Sequence, residues 1–210
     1  MYIEDLIEKK WKLSKSNNEG DIYVVMQEIS DKTYLHVLCK KIDVKYYEDF
    51  EQAYNIKLLP ELKEFYNYYN GCKLFLASIN VYGLGVGESR PMEFFLNDSN
   101  KHNEIPKSLA SPEELDDIVF FGMVGDYNAF YKQSEINEPR IYLCENKTVK
   151  PVKTFNSIKE MMKYYFKYLT DEYDEKGYRK HPSQEEWCRK YPALANSFNG
   201  DIDWEIEGKA

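Results

Sequence analysis

With 210 residues, 43% of them hydrophobic and 30% charged, the chain is long enough to bury a core and has the balance of a soluble globular protein rather than a disordered or fibrous one. A formal net charge of −8 argues against nucleic acid as a direct partner and for a basic protein partner, and no apolar run reaches the roughly 18 residues of a membrane-crossing helix. The four cysteines (Cys39, Cys72, Cys144, Cys188) and three histidines (His36, His102, His181) are scattered, with no C-x-x-C pair. Neither a disulfide framework nor a metal site is expected.

Taken in chain order, the N-terminal residues 1–15 hold a helix: Ile3, Leu6, Ile7 and Trp11 recur at helical spacing within 2–13. The same stretch is charged and lacks the apolar run of a secretory signal, so a cytoplasmic protein is expected. "IYVVMQEI" and "TYLHVLCKKI" fit either strand or helix. Tyr46, Tyr47, Phe50 and Tyr54 predict a helix over 44–54. Pro60 then suits the first turn of a second helix, where its missing N–H costs nothing. Leu62, Phe65, Tyr66 and Tyr69 form that helix's apolar stripe, and Asn70-Gly71 is expected to close it in a left-handed cap.

"KLFLASINVYGL" reads as one strand and "EFFLNDS" as a short strand or turn. "SPEELDD" predicts a helical turn opened by Ser and Pro. "DIVFFGMVG", "NAFYKQSE" and "PRIYLCEN" predict three consecutive strands, and short connections make them an antiparallel meander. The strongest helix begins near Asn156 or Ser157, either of which can cap it, and buries Ile158, Met161, Met162, Tyr165, Phe166 and Leu169. A helical extension over 178–210 ends the chain. The order of helices, strands and helices indicates an α+β fold, a mostly antiparallel central sheet flanked by helices, in a single domain over 1–210.

The stretch from 50 to 84 resembles the SUKH superfamily, which includes a fungal cell-wall regulator and many bacterial immunity proteins. Glu51 matches its acidic position, Leu59-Pro60 its Leu-Pro, Phe65 its aromatic residue, Asn70-Gly71 its turn, and "SINVYGL" its first strand. The resemblance covers about 45–170. "AYNIK" and Cys72 depart from the common pattern. What the resemblance implies is a non-catalytic, protein-binding domain whose partner in bacteria is typically a polymorphic toxin delivered between neighbouring cells, often a nuclease. The other possibility it leaves open is a regulatory or scaffold module.

The residues themselves offer little chemistry. Gly83, Gly85 and Gly87 give G-x-G-x-G rather than the G-x-G-x-x-G of a dinucleotide site, and neither a P-loop nor an H-E-x-x-H or G-x-S-x-G motif occurs. No enzyme and no cofactor are expected. Residues 86–138 carry 11 acidic and 4 basic side chains, a net of −7, and thus nearly all the excess charge. Within them Asp98, Asp116, Asp117 and Asp126 are the candidate partner-facing carboxylates, which would steer a basic toxin, while tyrosines supply anchors. Plain solubility explains the same charge, and the 19 tyrosines suit core edges as well as an interface.

Overall fold

The structure is a computed structural model that describes residues 3–15, 21–26, 34–41, 43–84 and 109–180. Among them nine strands form one antiparallel sheet in simple chain order. They are β1 (Ser14–Lys15), β2 (Ile22–Val25), β3 (Tyr34–Lys40), β4 (Tyr69–Leu74), β5 (Ile79–Val81), β6 (Ile118–Val124), β7 (Tyr127–Lys132), β8 (Ile141–Glu145) and β9 (Pro151–Phe155). The helices are α1 (Ile3–Ile7), α2 (Val44–Tyr54), α3 (Pro60–Tyr66), α4 (Pro112–Asp116) and α5 (Ile158–Glu172). The α+β fold is as expected from the sequence.

Register explains which face is buried. Leu38, Cys72, Val81, Gly122, Ala129 and Leu143 lie opposite one another across successive strands, and all five side chains beyond Gly122 are almost wholly buried. The adjacent row, Val37, Lys73, Asn80, Met123 and Asn128, points to the other face and stays half-exposed. This is the period of two of a pleated strand, although the second face is covered as well at Leu35 and Phe130, which are wholly buried. On the covered face the Tyr131 hydroxyl donates to the Lys57 carbonyl, and Phe155 packs on Tyr164 and Tyr165 of α5. Each fully buried Leu or Phe there contributes about 1.5–3 kcal/mol.

Local signals account for the helices. Asp43 caps α2 by accepting from the Lys45 N–H at 2.9 Å, and Asn55 ends it in the left-handed conformation that Asn tolerates. Ser111 and Glu114 form a reciprocal capping box on α4. Ser157, rather than Asn156, caps α5 through the Glu160 N–H. At the far end of α5, Lys10 donates to the carbonyls of Thr170, at 2.5 Å, and Tyr173, and Trp11 donates through Nε1 to Asp174. The N-terminal segment thus closes the C-terminus of α5, where a cation is favoured.

Three expectations are corrected and one open alternative is resolved. The N-terminal helix spans only Ile3–Ile7 before turning, although Trp11 remains buried. "IYVVMQEI" and "TYLHVLCKKI" contribute strands, since β-branched runs need a partner edge, which β4 supplies to β3. The predicted strand over 73–84 is a hairpin: Phe75, Leu76 and Ala77 all have positive φ (54°, 55° and 69°), reversing the chain. That conformation costs roughly 1–2 kcal/mol per non-glycine residue. The buried Phe75 ring offsets it by packing edge-on against His36 at 4.6 Å and Phe166 at 4.9 Å. Finally, α3 stops at Tyr66 with Asn67 as its cap, so Asn70-Gly71 lies inside β4 and closes no helix.

Candidate protein-binding groove

Glu51, Leu59, Pro60, Phe65, Asn70 and Gly71 come together around α3. The Glu51 carboxylate, at the end of α2, accepts from the Leu58 N–H at 2.7 Å and the Lys63 ammonium at 2.8 Å, fixing the angle between α2 and α3. Leu59 is buried and Pro60 opens α3. The buried Asn70 side chain accepts from the Leu84 N–H at 2.7 Å and donates to the Leu84 carbonyl at 2.9 Å. It thereby mimics a further strand partner for residues just past β5. Gly71 has φ +93°, and a Cβ there would lie 2.8 Å from the Val81 carbonyl oxygen and 2.9 Å from the Gly83 nitrogen. Four of the six positions therefore organise backbone, and Leu59 packs in the core.

Phe65 is the exception. Its half-buried ring lies 5.6 Å from Tyr69 and lines a groove of about 240 Å³ with Ile3, Glu61, Glu64, Tyr68, Tyr69, Ile158, Lys159 and Met162. The floor is apolar, because Ile3, Ile158 and Met162 are buried. Tyr68 is 44% exposed, and Glu64 and Lys159 are also exposed. Glu61 accepts from the Ile158 N–H at 2.7 Å, so a carboxylate of α3 closes the first turn of α5. Tyr69 donates to Glu4 at 2.9 Å. Burial, with that carboxylate beside it, pushes the phenol's pKa far upward and keeps it neutral. Of these groove residues the sequence pointed only to Phe65 as a matched position. The others come from α1, α3, the start of β4 and α5, far apart in the chain, and no local pattern joins them.

The candidate carboxylates do not form one patch. Asp116 ends α4 and is exposed, and Asp126 is exposed in the β6–β7 turn. The seven residues of β6 separate the two, on the order of 20–25 Å of extended chain. Asp117 is engaged internally, accepting from the Ser134 N–H at 2.6 Å and the Ser134 hydroxyl at 2.7 Å. Asp98 lies outside the described residues, as do Gly85 and Gly87 and most of the 178–210 extension.

Among the described residues, burial shifts the titration of three groups that could do chemistry. His36 is wholly buried between Trp11 and Phe75, and desolvation lowers its pKa to about 3. Its Nδ1 accepts from the Phe75 N–H at 3.3 Å. The Cys144 thiol is buried and pushed up to about 12, far from thiolate at neutral pH. Lys153 sits 3.4 Å from the Tyr164 ring centroid, and burial lowers its pKa. Among the described residues no three His, Cys, Asp or Glu side chains are grouped to hold a metal ion, and no helix is long and apolar enough to cross a membrane.

Comparison with known families gives a match over residues 41–164 to the SMI1 / KNR4 family (SUKH-1). That span includes α2, α3, strands β4 to β9 and the first half of α5. No curated protein matches the chain.

Proposed function

Because the chain belongs to the SMI1 / KNR4 family (SUKH-1), we propose that it is a non-catalytic cytoplasmic immunity protein that binds and neutralises a cognate polymorphic toxin. Family membership is the observation that carries this reading. Two features of the chain support it. The matched positions Glu51, Asn70 and Gly71 serve the backbone, which leaves recognition to the surrounding surface. The net charge of −8 favours a basic partner, as a nucleic-acid-cleaving domain would be.

In this reading the protein covers the toxin's active site or substrate path. Asp116 and Asp126, together with Asp98, accelerate encounter by long-range attraction, whereas Asp117 contributes to the field while holding Ser134. The chain is read as one unit over 1–210, a reading supported among the described residues by the single sheet that β1 to β3 share with the matched β4 to β9.

The test is affinity capture of the tagged protein from its native strain at low and high salt. One stoichiometric partner carrying a small basic domain, held more loosely at high salt, is the expected result. Many weak partners would instead indicate a regulatory or scaffold module, and measurable turnover of nucleotides, esters or phosphates by the purified protein would overturn the non-catalytic reading.

A further inference from the structure

We propose that the groove between α1, α3 and α5 seats an arginine or lysine side chain carried on an apolar segment of the partner protein. The inference rests on the protein-binding reading above and names its site and chemistry. Glu61, Glu64, Phe65 and Tyr68 follow one another at spacings of three, one and three residues. Three of them lie within α3, and Tyr68 stands just past its end, so they project from one side of it. Their chemistry is mixed in a specific way. Phe65, Tyr68 and Tyr69 form a row of rings, with centroids 5.6 Å apart for Phe65–Tyr69 and 6.2 Å for Tyr68–Tyr69. The carboxylates of Glu61 and Glu64 stand beside that row, and a third, Glu4, sits at the Tyr69 hydroxyl.

An aromatic face next to carboxylates attracts a cation by quadrupole and by charge together. The floor of Ile3, Ile158 and Met162 matches the methylene stem that a long basic side chain buries while its head stays among polar groups. The shape is a groove open to solvent rather than a closed cavity, so a side chain on a segment lying across it fits. Lys159 is the one cation among the described lining residues, and it opposes a second positive charge. Glu61 is held in place by the Ile158 N–H, so the site is set before any partner arrives.

The test is a nitrogen-15 NMR titration of the full chain with the peptide acetyl-Leu-Arg-Leu-amide. The counterpart in which citrulline replaces arginine keeps the shape and removes the charge, and free arginine serves as a third probe. Shifts confined to residues 61–69 and 158–162 are expected, with the arginine peptide binding about fivefold more tightly than the citrulline one. Glu64→Gln and Tyr68→Ala, both at exposed positions, should each weaken it severalfold, and Lys159→Ala should strengthen it. Equal binding of the citrulline peptide, shifts elsewhere, or indifference to Glu64→Gln would overturn the proposal. Free arginine binding as tightly as the peptide would make this a small-molecule site and overturn the protein-segment assignment. None of these readouts needs the toxin, so a failed capture leaves them intact. Conversely, a captured toxin indifferent to Glu64→Lys and Tyr68→Ala would refute the groove and spare the immunity reading.

Discussion

Replacing Gly71 by alanine tests whether the Asn70-Gly71 pair organises the sheet rather than a helix end. Gly71 combines φ +93° with a close approach: its added Cβ would meet the Val81 carbonyl oxygen at 2.8 Å and the Gly83 nitrogen at 2.9 Å, both backbone atoms that cannot swing aside. The left-handed conformation alone costs a non-glycine residue about 1–2 kcal/mol, and overpacking adds about 1–3 kcal/mol. A total of about 3 kcal/mol is expected, which for a chain of this size lowers Tm by roughly 6–12 °C. Gly125→Ala is the internal control. Gly125 also has a positive φ, +56°, yet its Cβ would meet nothing within 4 Å, so about 1 kcal/mol is expected. Urea unfolding followed by circular dichroism, with equal m-values, gives both numbers. If Gly71→Ala is no more destabilising than Gly125→Ala, the close crossing of β4 over residues 81–83 does not constrain the fold and the reasoning is wrong.

Three further outcomes are expected. Asn70→Ala leaves the Leu84 N–H and carbonyl unpaired in a buried place and should cost about 2–4 kcal/mol by the same denaturation assay. Glu51→Gln keeps a hydrogen-bond acceptor for Leu58 but removes the charge that holds Lys63. A loss of about 1 kcal/mol is expected, with Glu51→Ala losing more. The folded pKa of His36 is depressed to about 3 from an ordinary 6.5, so the unfolded chain binds a proton that the folded chain refuses. Its contribution is therefore complete above pH 6.5 and is lost as pH falls toward 3. That loss amounts to about 2 kcal/mol between roughly pH 7.5 and pH 5, and it should be absent from the pH profile of His36→Leu relative to its own neutral value. Identical profiles for the two proteins would mean that the His36 ring accepts a proton where it stands.

The sequence alone determined the elements whose signals are local. The aromatic stripe of 44–54 gave α2 to the residue, because its spacing admits one period only. Pro60 marked the first residue of α3, Ser111 marked the start of α4, Asn156 or Ser157 that of α5, and apolar runs broken by turn residues placed β6, β7 and β8. The motif around Glu51 and Leu59-Pro60 carries the resemblance to the family in local sequence alone.

Tertiary structure decided the rest, because those features depend on partners distant in sequence. "PVKTF" has no alternating pattern, with Pro151, Val152 and Thr154 exposed. It is a strand only because β8 offers an unpaired edge. Asn70-Gly71 carries a helix-ending signal, but Leu84 supplies hydrogen bonds that hold the pair in β4, while Asn55 and Asn67 cap the helices instead. No residue-by-residue pattern predicts three consecutive left-handed residues at Phe75–Ala77; the aromatic cluster around Phe75 holds them there. The groove has the same origin. Ile3, Phe65 and Ile158 are separated by 62 and then 93 positions, and only the packing of α1, α3 and α5 on one another makes them neighbours.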